Sequence, residues 1–344
     1  MFNRLAVSLK ELEATVIQML VFGSVSASVA GKEAMQRHFG NIDWPVTWVE
    51  GAACDGSPIA GLQVFGFTGG EVTRINLNGR VVGSVFSDGT ARYCLLGGLD
   101  PVRNSIARED QTRETLDNLA RALAQGGFSL SDTVRTWFFL EDLLSWYDEF
   151  NQTRTQIYSG VKFRTGSLPA STGIGAKNPA GTALTVGAWA MQPLNSSTRA
   201  EEIASPLQCP APAYGSSFSR AIELSSETGR RLLISGTASI APGGKTLWPG
   251  AARQQVAHTM QVVGAILGSR GFQFSDLTRA TAYFKRRADA RAFTEWCAAR
   301  GLQLQPVTLA QCDICRDDLL FELEADAWSS TTRLVPFPLS TEGL

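Results

Sequence analysis

Hydrophobic positions along this chain follow two periods in turn. In VTRINLNGRVVGSVF and TARYCLLGGL they alternate with polar ones, the period of a half-buried strand, and an Asn-Gly pair breaks the first run where a hairpin would turn. From Gln111 to Leu123 the spacing lengthens, so that Leu116, Leu119 and Leu123 share a helical stripe that Gly126 and Gly127 end. TVRTWFFL then predicts a strand rich in β-branched and aromatic residues, and Leu143 to about Ile157 a second amphipathic helix. ALTVGAWAM is apolar nearly throughout, as expected of a strand covered on both faces. The order strand, strand, helix, strand, helix, strand returns with SRAIELS, RRLLISGTASI, a helix from Ala252 to Leu267, LTRATAYF, a helix from Ala288 to Arg300, and LLFELEADAW.

The recurrence extends to individual residues. Thr115 and Thr259, Gly127 and Gly271, Phe128 and Phe272, Ser131 and Ser275, Asp132 and Asp276, and Arg135 and Arg279 all keep one offset. Such a period is a whole small domain, well beyond the ~20–50 residues of a solenoid turn. A partial third copy is expected at the start, because Cys54 follows Pro45 in WPVTWVEGAAC at the spacing with which Cys315 follows Pro306 in QPVTLAQCDIC. These patterns predict an α/β (α+β) protein: a partial unit over 1–69, complete units over 70–195 and 213–330, a Pro-, Ser- and Ala-rich linker over 196–212, and a tail over 331–344 with little to bury. Each unit is expected to be a mixed sheet with two helices on one face. An active site between copies would need only one copy to keep the chemistry.

Composition narrows the function. With 31 basic and 32 acidic side chains the net charge is −1, and no run of Lys and Arg suggests a phosphate-tracking surface, so nucleic acid is not expected as a partner. No apolar stretch is long enough to span a bilayer. Ala14 to Ala30 ends in small residues as a signal peptide does, but Glu11 and Glu13 stand where such a segment is positive, and it reads as a helix end and a core strand. Six dispersed cysteines are expected to be reduced thiols in a cytoplasmic protein. Cys312 and Cys315 form a CxxC without a second ligand pair, so no metal is expected. His38 and His258, the only histidines, poorly supply a Ser-His-Asp or Cys-His mechanism.

Four clusters are candidates for chemistry. In CRDDLLFELEA, Glu322 and Glu324 lie on one strand face, with Phe321 and Leu323 on the other. A desolvated carboxylate there becomes a usable general acid, although a solvent-facing acid pair fits the same pattern. Arg316 and Arg220, the latter in YGSSFSRA, are suited to holding a dianion bidentately, or to pairing with surface acids. In ISGTASI, Gly236 and Ala238 permit close ligand approach, with donors from Thr237 and Ser239; a tight strand end reads equally well. LPASTGIGAKNPAG is a Gly- and hydroxyl-rich loop without the nucleotide-binding pattern.

The halves ending in LPASTGIG and FELEADA resemble the YjgF/Rid superfamily from Gly70 to Trp328, and YGSSFSRA, LLISGTASI and CRDDLLFELEA together resemble its chorismatases. That resemblance implies tandem Rid-like units packed as a pseudo-trimer, in a monomer or homotrimer. It implies release of pyruvate from chorismate or a related enolpyruvyl carboxylic acid, without cofactor. Glu322 would be the acid; Arg220, Arg316 and Tyr214 would hold the carboxylates; Cys315 and Ala238 would lie near the ring; and Gln208 falls where the family carries a Gln before its Tyr-Gly loop. Arg154 or Trp137 is expected to reach across from the first unit. This chain departs from the family pattern in APGGKTLWPG, which lacks histidine, and in the RxWNY strand, where Trp137 is followed by Phe138 and Phe139. Rid-type imine hydrolysis is the runner-up, yet Pro306-Val307-Thr308, Pro169-Ala170-Ser171 and Pro45-Val46-Thr47 all lack the arginine that activity uses. A different acid-catalysed step on a carboxylic acid and a non-catalytic ligand-binding role also stay open, the second needing no desolvated acid.

Overall fold

The computed structural model describes residues 1–304 and 306–330; the tail expected over 331–344 lies outside the described residues. The first part comprises helices α1 (Phe2–Glu11) and α2 (Ser28–Phe39) with strands β1 (Thr15–Gly23), β2 (Val46–Val49), β3 (Ala52–Ala53) and β4 (Ile59–Phe67). The next holds β5 (Thr73–Leu77), β6 (Arg80–Ser87), β7 (Ala91–Leu99), α3 (Arg108–Gln125), β8 (Thr133–Leu140), α4 (Tyr147–Ser159), β9 (Ala170–Gly175) and β10 (Leu184–Pro193). The last holds β11 (Arg199–Ile203), β12 (Ala221–Ser225), β13 (Gly229–Ala238), α5 (Ala252–Ser269), β14 (Leu277–Phe284), α6 (Ala290–Ala298), β15 (Val307–Gln311) and β16 (Phe321–Ser330).

Three sheets result, ordered β2-β1-β4, β5-β6-β7-β10-β8-β9 and β11-β12-β13-β16-β14-β15-β3. The same motif lies in each: a strand (β1, β8, β14), a helix, a parallel partner (β2, β9, β15), then an antiparallel partner (β4, β10, β16). Asn78 and Gly79 turn the β5–β6 hairpin with φ of 52° and 75°, the left-handed geometry that an Asn-Gly turn uses.

Three segments differ from their sequence reading. LPASTGIG, read as a loop, carries β9, and β15 follows the helix in the last unit. Both are short and are held by parallel pairing to a central strand rather than by a hairpin, and β9 also lacks clear alternation. The 196–212 segment contains β11, an edge strand on β12 of which only Ile203 is buried, so its RAEEI sequence looks like a polar connection.

Each sheet turns one face to its own helices and the other to the remaining sheets. On β10, Val186, Ala188 and Ala190 pack toward α3, whereas Trp189 and Met191 enter a shared core. On β16, Phe321, Leu323, Ala325 and Ala327 pack with residues of α5 and α6. On β1, Met19 and Val21 cluster with Phe2 and Met35, while Ile17, Leu20 and Phe22 join the shared core. Phe22, Phe139 and Tyr283, one ring from the equivalent strand of each sheet, meet there with centroids 6.1 Å (Phe22 to Phe139) and 5.8 Å (Phe22 to Tyr283) apart. All three sheets therefore share a single interior.

Candidate active site

Where the second and third sheets meet, β9 is stitched to a bulge in β13. The Ser171 N–H donates to Ser235 Oγ at 2.9 Å, and the Gly236 N–H to Thr172 Oγ1 at 3.1 Å. The β13–β16 register shifts between Ile234 and Thr237, and Glu322 lies opposite Ala238 across the pair. A cavity of about 700 Å³ opens there, walled by α4 and β9 on one side and by Tyr214, Phe218, Arg220, Ile240, Cys315 and Glu322 on the other.

Glu322 is 4% exposed, and among the described residues no hydrogen bond or ion pair engages its carboxyl group. Burial, with Glu324 adding to it, raises its pKa to about 8 against a smaller opposing pull from Arg220, so the group is largely protonated at neutral pH. Gly236 makes room for it: a Cβ at that position would overlap Glu322 Oε1.

Three guanidinium groups face the same cavity. Arg220 donates from Nε and Nη2 to the Cys209 carbonyl at 3.0 and 2.9 Å and lies over the rings of Tyr214 and Phe218. Arg316 donates to the Gly244 carbonyl at 2.7 Å and covers Tyr214. Arg154, 1% exposed, reaches in from α4, donating to Asn151 Oδ1 at 2.7 Å between the rings of Phe138 and Phe150, and its Nε–H has no partner. Among the described residues none of the three contacts a carboxylate. The cavity thus has three cations and one largely neutral buried acid, with the exposed Asp148 also on its lining, an arrangement suited to a small polyanion. Burial pushes the Cys315 thiol up to about 12, and Glu322 adds to the effect, so it lines the cavity as a neutral group. Burial likewise raises Tyr214 to about 12.

Of the residues singled out from sequence, Glu322, Arg220, Arg316, Tyr214, Cys315, Gly236, Ala238 and Arg154 line this cavity. Four do not. Gln208 lies behind the wall, donating to the carbonyls of Ala238 and Ile240 at 2.9 Å each. Thr237 bonds back to the Ser235 carbonyl, and Ser239 turns to the Leu247 carbonyl and His258, because strand alternation directs them away from the cavity. Trp137 instead donates to Glu324 Oε2 at 3.1 Å in the shared core. Tyr147, Asn151 and Gly173 also line the cavity but were missed. The signal for them was weak: a helix carrying Asn151 and Arg154 on its buried side, and the small residues of β9.

Glu324 has a different environment. Although burial alone would raise it, Arg279 and Arg135 hold its carboxyl near 2, through contacts of 2.7 and 2.9 Å. Arg279 also binds Asp326 at 2.7 Å and Gln63 at 2.7 Å, joining first and third sheets. Ladder register places Thr185 where Glu322 would stand in the second sheet, since Phe139 pairs with Thr185 as Tyr283 pairs with Glu322. Only the third sheet carries the acid at this position.

No family model matches the sequence. A chorismatase of Streptomyces hygroscopicus is 28% identical over 238 residues, covering 62% of this chain and 66% of its own length. A 3-hydroxybenzoate synthase of the same organism is 25% identical over 225 residues, 57% of this chain and 64% of that protein. The matched stretches thus span just under two thirds of these relatives. The crystal structure of a chorismatase superposes with a TM-score of 0.65 at 23% identity, covering 91% of this chain and 93% of the other, a likeness of fold. The chain is thus similar in sequence to chorismatases and shares the fold of a solved chorismatase. No helix among the described residues is long and apolar enough to cross a membrane.

Proposed function

We propose that this protein is an enzyme that releases pyruvate from chorismate or a closely related enolpyruvyl cyclohexadiene carboxylate, with Glu322 as the general acid. The observation that carries the reading is the pairing of one desolvated, unpartnered carboxyl group with three carboxylate-free guanidinium groups in one cavity. Chorismate bears two carboxylates and an enol ether, and the cavity offers cations for the first and a proton for the second. The names of the relatives agree with that chemistry.

In this reading Arg220, Arg316 and Arg154 hold the two carboxylates, and the Tyr214 ring keeps the first two guanidinium groups in place. The Glu322 proton passes to the terminal methylene of the enolpyruvyl group, leaving an oxocarbenium carbon that water or a ring hydroxyl attacks. The hemiketal formed with water collapses as the bond from its carbon to the ring oxygen breaks, giving pyruvate and a dihydroxycyclohexadiene carboxylate; the internal ketal first loses a ring C–H proton as one ring carbon–oxygen bond breaks, which aromatises the ring, and the remaining hemiketal then releases pyruvate and a hydroxybenzoate. A base then takes the surplus proton back to Glu322. Positioned proton transfer contributes on the order of 10²–10⁴-fold, and the guanidinium groups lower the cost of charge movement. No step calls on a metal or organic cofactor. One chain supplies three similar sheets around one core, which supports a pseudo-trimeric monomer. Incubating the protein with chorismate and separating the products by chromatography tests the reading: pyruvate and one ring acid in equal amounts support it, and unchanged chorismate removes it.

A further inference from the structure

A second, smaller cavity of about 210 Å³ lies where all three sheets converge. Its walls are aromatic and continuous: Phe67 meets Phe86 at 4.7 Å, Phe86 stacks on Tyr93 at 5.2 Å, Tyr93 meets Trp189 at 6.3 Å, and Trp189 meets Phe65 at 5.4 Å. Trp328 closes the opposite side, its indole lying over Gly229 where a Cβ would overlap it. Arg231 stands between the two indoles, 5.5 Å from the ring of Trp189 and 5.4 Å from that of Trp328. Among the described residues its guanidinium makes no hydrogen bond or salt bridge, and none of its nitrogens is sealed away from the cavity and solvent. The Trp189 indole N–H, in a residue 5% exposed, is likewise without a partner. Asp88, also on the wall, accepts from Thr90, Ala91 and Tyr93 and makes no hydrogen bond or ion pair to the guanidinium, acting on it through charge alone.

We propose that this cavity is a second ligand site, for a monocyclic aromatic carboxylate. The planar Arg231 fork takes the carboxylate bidentately, with ion–ring contacts already fixing its plane, and the aromatic walls take the ring. A volume below the ~300 Å³ of common ligand pockets limits the occupant to one ring. The charged fork beside the aromatic wall selects against neutral rings, and the Arg231 charge selects against amines. Arg231 pairs with Trp328 in the ladder, and Ala238 with Glu322, so the two cavities sit at opposite ends of the same strand pair. At ~3.3 Å per residue they are about 20 Å apart. Along that face of β16, Glu322, Glu324, Asp326 and Trp328 run from one cavity to the other through the ion-paired core. The site does not depend on the reaction proposed for the first cavity.

Tryptophan fluorescence reads this site, because Trp189 and Trp328 line it while no tryptophan among the described residues lines the Glu322 cavity. Titrating the protein with benzoate is expected to give a saturable change. Arg231→Gln raises the half-saturating concentration at least tenfold, whereas Arg220→Gln, which alters the other cavity, leaves it unchanged. Trp328→Ala, at a position 37% exposed, weakens binding as well and serves if Arg231→Gln does not fold. Benzyl alcohol, matching shape without charge, binds at least tenfold more weakly. Absence of a saturable signal, or a half-saturation unchanged from wild type in both Arg231→Gln and Trp328→Ala, overturns the site; equal binding of benzyl alcohol overturns the carboxylate assignment.

Discussion

Glu322 and Glu324 project from the same face of β16 two residues apart, yet one is buried without a cation on it and the other is clamped by Arg279 at 2.7 Å and Arg135 at 2.9 Å. The strand thus places a proton donor beside a permanent anion, and Glu324 helps to keep Glu322 protonated. One carboxylate builds the core; the other lines the cavity.

The pH dependence of turnover follows from that contrast. An acid with a pKa raised to about 8 is active in its protonated form, so kcat/KM for pyruvate release is expected to fall as pH rises through about 8. Arg220 pulls that pKa down. Arg220→Gln therefore moves the descending limb to higher pH while weakening substrate binding; a limb that stays in place or moves lower contradicts the assignment.

Stability carries the same signature. Glu322 keeps its proton in the folded state between the usual carboxylate range and about 8, where the unfolded chain has lost it. The folded state then binds more protons, so this group makes the protein progressively less stable as pH rises across that window. Denaturant midpoints for wild type and Glu322→Gln should diverge from about pH 5 to about pH 8, the variant becoming relatively more stable. Parallel curves would show that Glu322 titrates normally.

Gly236 is the tightest steric link at the site. Because a Cβ there overlaps Glu322 Oε1, Gly236→Ala must displace the carboxyl group, and a shift of about 1 Å at a reacting group costs on the order of 10²-fold in rate. The expected outcome is a loss of that size in kcat with a thermal midpoint close to wild type. An alanine variant with full kcat would remove Glu322 from the chemistry.

The ion-paired core predicts a different kind of failure. Arg135 is wholly buried and serves Glu324 together with the Ile234 carbonyl at 2.8 Å. Removing it as Arg135→Met leaves buried carboxylates with less compensation, a loss of about 3–5 kcal/mol. Equilibrium unfolding measures this directly, and a change within 1 kcal/mol would show that the network contributes little.

Sequence periodicity conveyed strands that sit in hairpins and helices with an apolar stripe, because each shows a complete local pattern. It missed β9 and β15, whose pairing partner is a strand separated by a helix; β9 is made of small residues without alternation, and β15 is only five residues long. Among site residues, Glu322 was legible because two acids on an otherwise apolar strand are costly. Arg154 entered only through the resemblance to two-unit clefts, and Tyr147 was hidden in a helix whose buried stripe looked ordinary. Thr237 and Ser239 were misread because a bulge at Ser235 and Gly236 resets which side chains face the cleft, and a bulge is invisible in residue spacing. Arg135 and Arg279 stood out as a repeated pair; their partners became apparent only once the sheets were packed together.

The most direct measurement of the account is pyruvate release from chorismate, followed through a lactate dehydrogenase couple, for wild type and Glu322→Gln side by side. The wild type is expected to release pyruvate steadily and the variant at a rate lower by on the order of 10²–10⁴-fold, at unchanged thermal midpoint. Equal rates in the two would contradict Glu322 as the acid, and no release from either would contradict chorismate as the substrate.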